Sequence, residues 1–416
     1  MSARRKQVIC MKEKLYPLLF GGDINVYSVA RAFWEQYRIR VTCYGKFPSG
    51  PAYRSSLIDY RVNANAEKAE TLVRLICDFA AEHRDGKVMP IGCSDDYVFL
   101  VTDNRDKYPD NVIVPYIDSK LMGELIRKEH FYELADKYDI DHPGTFIYRK
   151  EMGHDFELPF KPPYICKPSS SALYWRHPFQ GNDKVFVLKD REALLDVLDR
   201  CYAAGYPDTM VIQDMIPGDD SYMRVLTCYS DKKGRVKMMC LGHTLLEEHT
   251  PHGRGNHAVV ITEKLDGQSR TLCEKIRYFL EEIHYTGFSN FDIKYDERDG
   301  KYKVFEINCR QGRSNYYVTA AGYNVAKYWV SDLIEGIDTG FEICQKESLW
   351  RVVPRKVSYD YVPSKYHAFM KRMEKEGHVS NSLISPDEKN WYHKLWVWHN
   401  LRSHVKKFAS YYEKQK

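Results

Sequence analysis

Eleven cysteines are present, an odd number, and no two form a C-x-x-C pair. That excludes the common zinc ribbons and argues against a disulfide framework; it reads as reduced thiols in a cytoplasm. No apolar run reaches the length of a membrane helix, and none after Arg4, Arg5 and Lys6 resembles a secretory signal. There is no G-x-x-x-x-G-K-[ST] loop and no H-R-D or D-F-G set, which excludes a P-loop enzyme and a protein kinase. Gly253-Arg254-Gly255-Asn256-His257-Ala258 has the letters of a dinucleotide fingerprint but precedes an apolar strand pattern instead of following one. Internal repeats and long low-complexity segments are also missing. Net charge is only +5 over 416 residues, too little for the whole chain to imply nucleic acid.

What is present is ordinary globular composition, 44% hydrophobic and 29% charged, at a length that suggests two or three domains. Charge is uneven. From Gln345 onward there are 15 Lys+Arg against 7 Asp+Glu, a net of +8. Residues 1–118 read as a small parallel α/β domain. Strands are expected at Leu15–Phe20, Arg40–Tyr44, Lys87–Cys93, Tyr97–Val101 and Val112–Ile117, and helices at Val26–Tyr37 and Glu67–His83. Residues 119–344 read as an α+β domain. It opens with a helix over Ser119–Tyr138, has strands at Tyr164–Lys167, Val185–Leu188, Met210–Met215, Met223–Ser230 and Val236–His243, and closes with a helix near Asn315–Glu335. Residues 345–416 read as a basic, aromatic-rich, helical extension.

The chemistry concentrates in a predicted hairpin, Asn290–Lys294 and Val304–Asn308, turning through Glu297-Arg298-Asp299-Gly300. Alternation places Phe291, Ile293, Phe305 and Ile307 on an apolar face and Asp292, Glu306, Asn308 and Arg310 on the other. A register centred on Asp-Gly sets Asp292 opposite Glu306. Two facing carboxylates repel unless a cation lies between them. An all-oxygen set, Asp292, Glu306 and Asn308, suits Mg²⁺, with Mn²⁺ as an alternative. A plain solvated sheet face would carry similar residues. Lys167 ends a strand ahead of Ser169 and Ser170, where an ammonium, hydroxyls and backbone N–H groups can meet phosphate; Lys128 precedes it on a helix. The segment Gln213-Asp214-Met215-Ile216 ends a strand at a Pro-Gly turn and offers backbone to an adenine edge, with Asp220 beyond it for ribose hydroxyls. Arg254 lies on a loop expected over the site. His243, His249, His252 and His257 are loosely spaced, and ordinary strand and loop histidines describe them better than zinc.

The order Lys128, Lys167, Gln213 to Asp220, Asp292, Glu306-x-Asn308, Arg310 resembles the ATP-grasp superfamily, in which two α+β layers clamp ATP. Longer blocks resemble the D-aspartate ligases of Gram-positive cell-wall synthesis. These include Gly22-Asp23-Ile24-Asn25-Val26-Tyr27, Gln213 to Ser221, and Phe305-Glu306-Ile307-Asn308-Cys309-Arg310-Gln311-Gly312-Arg313-Ser314. The resemblance implies an ATP-grasp fold behind a Rossmann-like N-terminal domain. It implies ATP and Mg²⁺ as cofactors, and joining of the D-aspartate β-carboxylate to the lysine amine of a UDP-linked stem peptide. By the same resemblance Lys128 and Lys167 hold phosphates, Arg310 stabilises the transferring phosphoryl group, and Arg254 meets an acyl phosphate or an acidic substrate. Arg313 and Ser314 are placed at amino-acid carboxylates. A ligase for another amino acid and amine, or a nucleotide-binding scaffold without turnover, remain the competing readings. The extension mixes Trp391, Trp396, Trp398, Phe408 and Tyr411 with Lys394, Arg402, Lys406 and Lys407. It either packs on the catalytic domain or contacts an anionic membrane surface, which would be the inner face for a cytoplasmic protein.

Overall fold

The computed structural model describes residues 11–250 and 253–412. Arg4, Arg5, Lys6 and His252 lie outside them. The first layer is a parallel sheet of order β3-β2-β1-β4, from β1 (Lys14–Phe20), β2 (Val41–Gly45), β3 (Ile58–Val62) and β4 (Gly86–Gly92). Helices α1 (Ile24–Tyr37), α2 (Ala69–Glu82) and α3 (Asp95–Asp103) connect and flank these strands. Asp23 starts α1 by accepting the backbone N–H groups of Asn25 and Val26.

Two expectations change here. Residues 97–101 belong to helix α3, not a strand: Tyr97, Val98, Val101 and Thr102 are buried at helical spacing behind the acidic first turn Asp95-Asp96. The run 112–117 makes only two isolated bridges, Val88 with Val112 and Tyr116 with Gly287, because Pro115 cannot continue a ladder. Strand β3 is an additional edge strand, Ile58-Asp59-Tyr60-Arg61-Val62, whose alternation of apolar and charged residues lasts only five residues.

The helix expected over Ser119–Tyr138 is two helices, α4 (Ser119–Ile126) and α5 (Lys128–Lys137), separated by extended Arg127. A second sheet, antiparallel, has the order β5-β8-β6-β7, from β5 (Thr145–Tyr148), β6 (Tyr164–Pro168), β7 (Phe186–Leu188) and β8 (Met210–Asp214). Helices α6 (Ser171–Tyr174) and α7 (Arg191–Ala203) accompany it. This unit has its own core, Tyr148, Cys166, Tyr174, Leu194, Leu198 and Ile212 among it.

The large sheet runs β13-β12-β9-β10-β11 before its last strands, from β9 (Met223–Ser230), β10 (Val236–Glu247), β11 (His257–Thr262), β12 (Gly287–Asp296) and β13 (Lys301–Asn308). Helix α8 (Gly267–Glu282) covers one face with Ile276 and Phe279 against Phe291 and Ile293. The other face meets α9 (Tyr316–Ala320) and α10 (Val325–Trp329). The helix expected across 315–335 is interrupted: Gly322 takes φ +98°, a conformation side chains resist, and Asn324 caps a new start. Phe33 of α1 stacks on Trp329 at 6.1 Å, joining the first layer to this core.

The basic extension is not purely helical. Beyond β14 (Glu342–Ile343), it supplies β15 (Ser348–Arg351) to the sheet edge beside β11, followed by α11 (Arg355–Tyr361), α12 (His367–Glu376) and β16 (Val379–Ser380). Helix α13 (Trp391–Tyr411) closes the described chain.

Candidate functional site

Strands β12 and β13 pair as the turn demands. Asp292 is opposite Glu306 and Asn290 opposite Asn308. The ladder then slips: Ile293 pairs with Val304, so Phe305 is an extra residue, a β-bulge. Val304 takes the core position and Phe305 turns to the polar face, correcting the alternation expected from the sequence. The Lys167 ammonium lies 5.7 Å from the Phe305 ring centroid. The second sheet therefore faces the large sheet across a cleft lined by Lys167, Phe305, Glu306 and Asp292. Tyr132 of α5 ties the two sides: its hydroxyl donates to the Phe305 carbonyl at 2.7 Å and accepts the Gln213 amide at 2.8 Å.

Charge in the cleft is arranged in opposition. Burial pushes the Asp292 carboxyl up, and the facing Glu306 adds to this, against His257. Burial also acts on Glu306, yet Lys128, Lys167 and Lys184 together draw its carboxyl below the ordinary range. Burial, then Lys128, lowers the Lys167 ammonium to about 7. A cluster of cations beside two crowded carboxylates is the electrostatic pattern of a site for a metal and a polyphosphate. Among the described residues no three His, Cys, Asp or Glu side chains group at metal-ligand spacing. A hard dication would thus take Asp292 and Glu306, with the Asn308 amide beside them, and complete its shell from outside the protein. Asn308 leans on this pair, its amide nitrogen 3.4 Å from an Asp292 oxygen.

Arg310 leaves β13 and forks onto Asp95 at the start of α3, with contacts of 2.6 and 2.9 Å. Asp95 was not a sequence candidate; 215 residues separate the partners. Arg313 lies 3.4 Å from Glu248, and Ser314 is buried, its carbonyl accepting from the Tyr317 amide. Asp23, open at the surface yet crowded by protein, has its carboxyl raised by lost hydration, with Arg313 and then Arg310 opposing.

The segment after β8 is partly committed already. The Gln213 side chain also donates to Thr145, and Asp214 holds Arg298 of the hairpin turn at 2.6 Å. Contacts to a base would fall to the backbone of Met215 and Ile216, which follow the strand. Lys294 braces the turn by donating to the carbonyls of Ile216 and Gly218 at 3.0 and 2.8 Å. Asp220 is buried and accepts the Glu247 amide and His249, both at 2.9 Å. Ser169 is anchored through its amide to Thr209, and the Ser170 amide meets the Tyr206 hydroxyl. Lys128 stands at the first turn of α5. Arg254 is exposed on the β10–β11 loop, its amide held by Thr250.

The histidines separate. His243 pairs with Glu263 at 2.8 Å, His249 with Asp220, and His257 lies 3.3 Å from Glu247 and 3.9 Å from Asp292. Burial opposes charge on His257, but Glu247 and then Asp292 raise its imidazole. Glu247, His257, Lys184, Tyr132 and Lys294 were missed as site residues. Their types are common and only the β10–β11 pairing brings Glu247 and His257 together.

No protein-family model matches the chain. Among solved structures, the biotin carboxylase domain of 2-oxoglutarate carboxylase from Hydrogenobacter thermophilus aligns with a TM-score of 0.60 at 14% identity, covering 80% of this chain and 73% of that one. N5-carboxyaminoimidazole synthetase from Staphylococcus aureus aligns at 0.57 and 13% identity over 82% of each chain. An L-amino acid ligase from Bacillus licheniformis aligns at 0.53 and 16%, covering 77% and 75%. These likenesses are of fold, and the fold is ATP-grasp. The D-aspartate ligase of Enterococcus faecium is 37% identical over 412 residues, spanning 95% of this chain and 97% of that protein. With that identity along nearly its whole length, the chain belongs to the D-aspartate ligase family.

Proposed function

We propose that the chain is an ATP-dependent carboxylate–amine ligase. It joins the β-carboxylate of D-aspartate to the lysine side-chain amine of a UDP-linked peptidoglycan stem peptide in the cytoplasm. The observation that carries the reading is the Asp292–Glu306 pair on the large sheet beside Lys167 of the second sheet and Lys128 of α5. The family relation supplies the substrate.

A carboxylate does not acylate an amine at neutral pH. ATP would supply activation by passing its γ-phosphoryl group to the β-carboxylate, leaving as ADP, and the lysine amine would then attack the acyl phosphate, releasing inorganic phosphate and a proton. Asp292, Glu306 and Asn308 would hold Mg²⁺, which would neutralise phosphate charge. Lys128 and Lys167 neutralise phosphate oxygens, and their mutual repulsion in the free protein favours an anion between them. Ser169 and Ser170 border Lys167 for further phosphate contacts. Met215 and Ile216 offer backbone to the base, with Gln213 and Asp214 fixing their position; Asp220 faces the ribose, sharing its carboxylate with His249. Arg310, oriented by Asp95, stabilises charge at the transferring phosphoryl group and the tetrahedral adduct. Arg313 and Ser314 orient the amino acid, and Arg254 approaches from the loop.

The test is ADP release with ATP, Mg²⁺ and a UDP-linked lysine-containing precursor, comparing D-aspartate with L-aspartate and other amino acids. Turnover with D-aspartate and a product heavier by one aspartyl residue is expected. Turnover only with another amino acid keeps the ligase and moves the substrate; no turnover with any pair overturns the reading.

A further inference from the structure

Helix α13 divides its side chains sharply. One stripe, His393, Val397, His404 and Phe408, is buried against the protein. His393 reaches the Pro51 carbonyl at 2.7 Å and stacks on Tyr27, and just past the far end the Tyr412 ring lies tilted against His249, centroids 4.6 Å apart. The helix is thus pinned along its length, about 31 Å at the usual rise.

Among the described residues the opposite stripe is turned outward and largely exposed. Trp391, Leu395, Trp398, Arg402 and Val405 recur at helical spacing on the outward face, and their apolar members are exposed by 61, 53, 51 and 36%. Arg402 lies over Trp398 at 4.1 Å, its charged head at the edge of an apolar surface. Lys394 and Lys406 flank this stripe on its two sides. The helix has four cations, Lys394, Arg402, Lys406 and Lys407, and no acidic residue. Among the described residues no helix is long and apolar enough to cross a membrane.

We propose that the outer face of α13 docks on an anionic lipid surface, the Trp and Leu side chains entering the headgroup boundary and the flanking cations meeting lipid phosphates. Charge decides between occupants. A symmetric contact between two copies would set this all-positive helix against itself. A negatively charged plane complements it and also accommodates the outward Trp391, Leu395 and Trp398 side chains beside Arg402.

The test uses the full-length chain and sedimentation with vesicles of phosphatidylcholine containing about 30 mol% phosphatidylglycerol, against phosphatidylcholine alone. Binding at least about tenfold greater to the anionic vesicles is expected at low salt, with a blue shift of tryptophan emission, and its loss near about 0.5 M salt. The Trp391→Ser/Leu395→Ser/Trp398→Ser variant and the Lys394→Glu/Lys406→Glu variant each lose binding while circular dichroism is unchanged. No binding of the wild type, or binding that survives both variants, overturns the proposal. So does a wild-type dimer abolished by the Ser variant in the absence of vesicle binding; that result gives the face to a second copy. Because the readout is pelleting, it is independent of whether the ligase reaction proceeds as proposed above.

Discussion

Replacing Asp292 with Asn is expected to make the metal-free protein more stable and the enzyme inactive. In the fold the Asp292 carboxyl is raised from 3.8 to about 7, chiefly by burial and then by Glu306. Three units correspond to about 4 kcal/mol of penalty on the ionised form. The side chain keeps 28% of its surface exposed, and water there brings the figure to about 2 kcal/mol. Between about 4 and about 7 the native state binds a proton that the unfolded chain has released. Stability therefore falls as pH rises through that window, and the full penalty applies above it. Asn keeps the shape and an acceptor for Asn308 but carries no charge. Thermal unfolding without nucleotide should place the variant roughly 2 °C above wild type at pH 8, with a smaller gap at pH 5. Adding Mg²⁺ with ADP should raise the wild type and narrow or reverse the difference, while ADP release by the variant falls by at least about a hundredfold. A variant that melts below wild type at pH 8, or a gap equal at the two pH values, refutes the argument that the pair is held in repulsion.

Two further substitutions address the site's supports. Asp95→Asn weakens the fork on Arg310; kcat should fall about tenfold with the KM for ATP little changed, measured by steady-state ADP release. Gly312→Ala would bring its Cβ to 2.6 Å from the Asn290 amide oxygen, which already accepts from Thr227; a loss of about 1–3 kcal/mol is expected in denaturant unfolding.

Much of this site is legible in residue order. The Asp-Gly turn sets the hairpin register, and alternation puts Asp292, Glu306 and Asn308 on one face without any knowledge of the rest. The bulge is not legible, because Val304 and Phe305 are both apolar and either satisfies a core position. Asp95 is invisible for another reason: its partner is brought near only when the segment after β13 meets the start of α3, and the run Tyr97–Val101 reads equally as strand or helix at that length. The break at Arg127 carries no Gly or Pro to mark it, although it decides where Lys128 stands. Edge strand β3 alternates Ile58, Tyr60 and Val62 with Asp59 and Arg61 over five residues only, and β5 spans four, whereas β9 and β10 are longer and largely apolar runs. The two faces of α13 are present as helical spacing, but which face the protein covers depends on Pro51, Tyr27 and Tyr361, distant in sequence.

The bulge at Phe305 also bears on how this hairpin can change over time. Residues inserted in the turn at 297–300 would lengthen a loop and leave the ladder paired as it is. A single residue deleted between Val304 and Glu306 would remove the slip and leave Val304 opposite Ile293 and Glu306 opposite Asp292 in a regular ladder, losing only the Phe305 ring beside Lys167, whereas one residue lost or gained between Glu306 and Asn308 would turn Asn308 and Arg310 toward the opposite face. Length variation among relatives should therefore collect at the turn and at the bulge, and be excluded between Glu306 and Asn308.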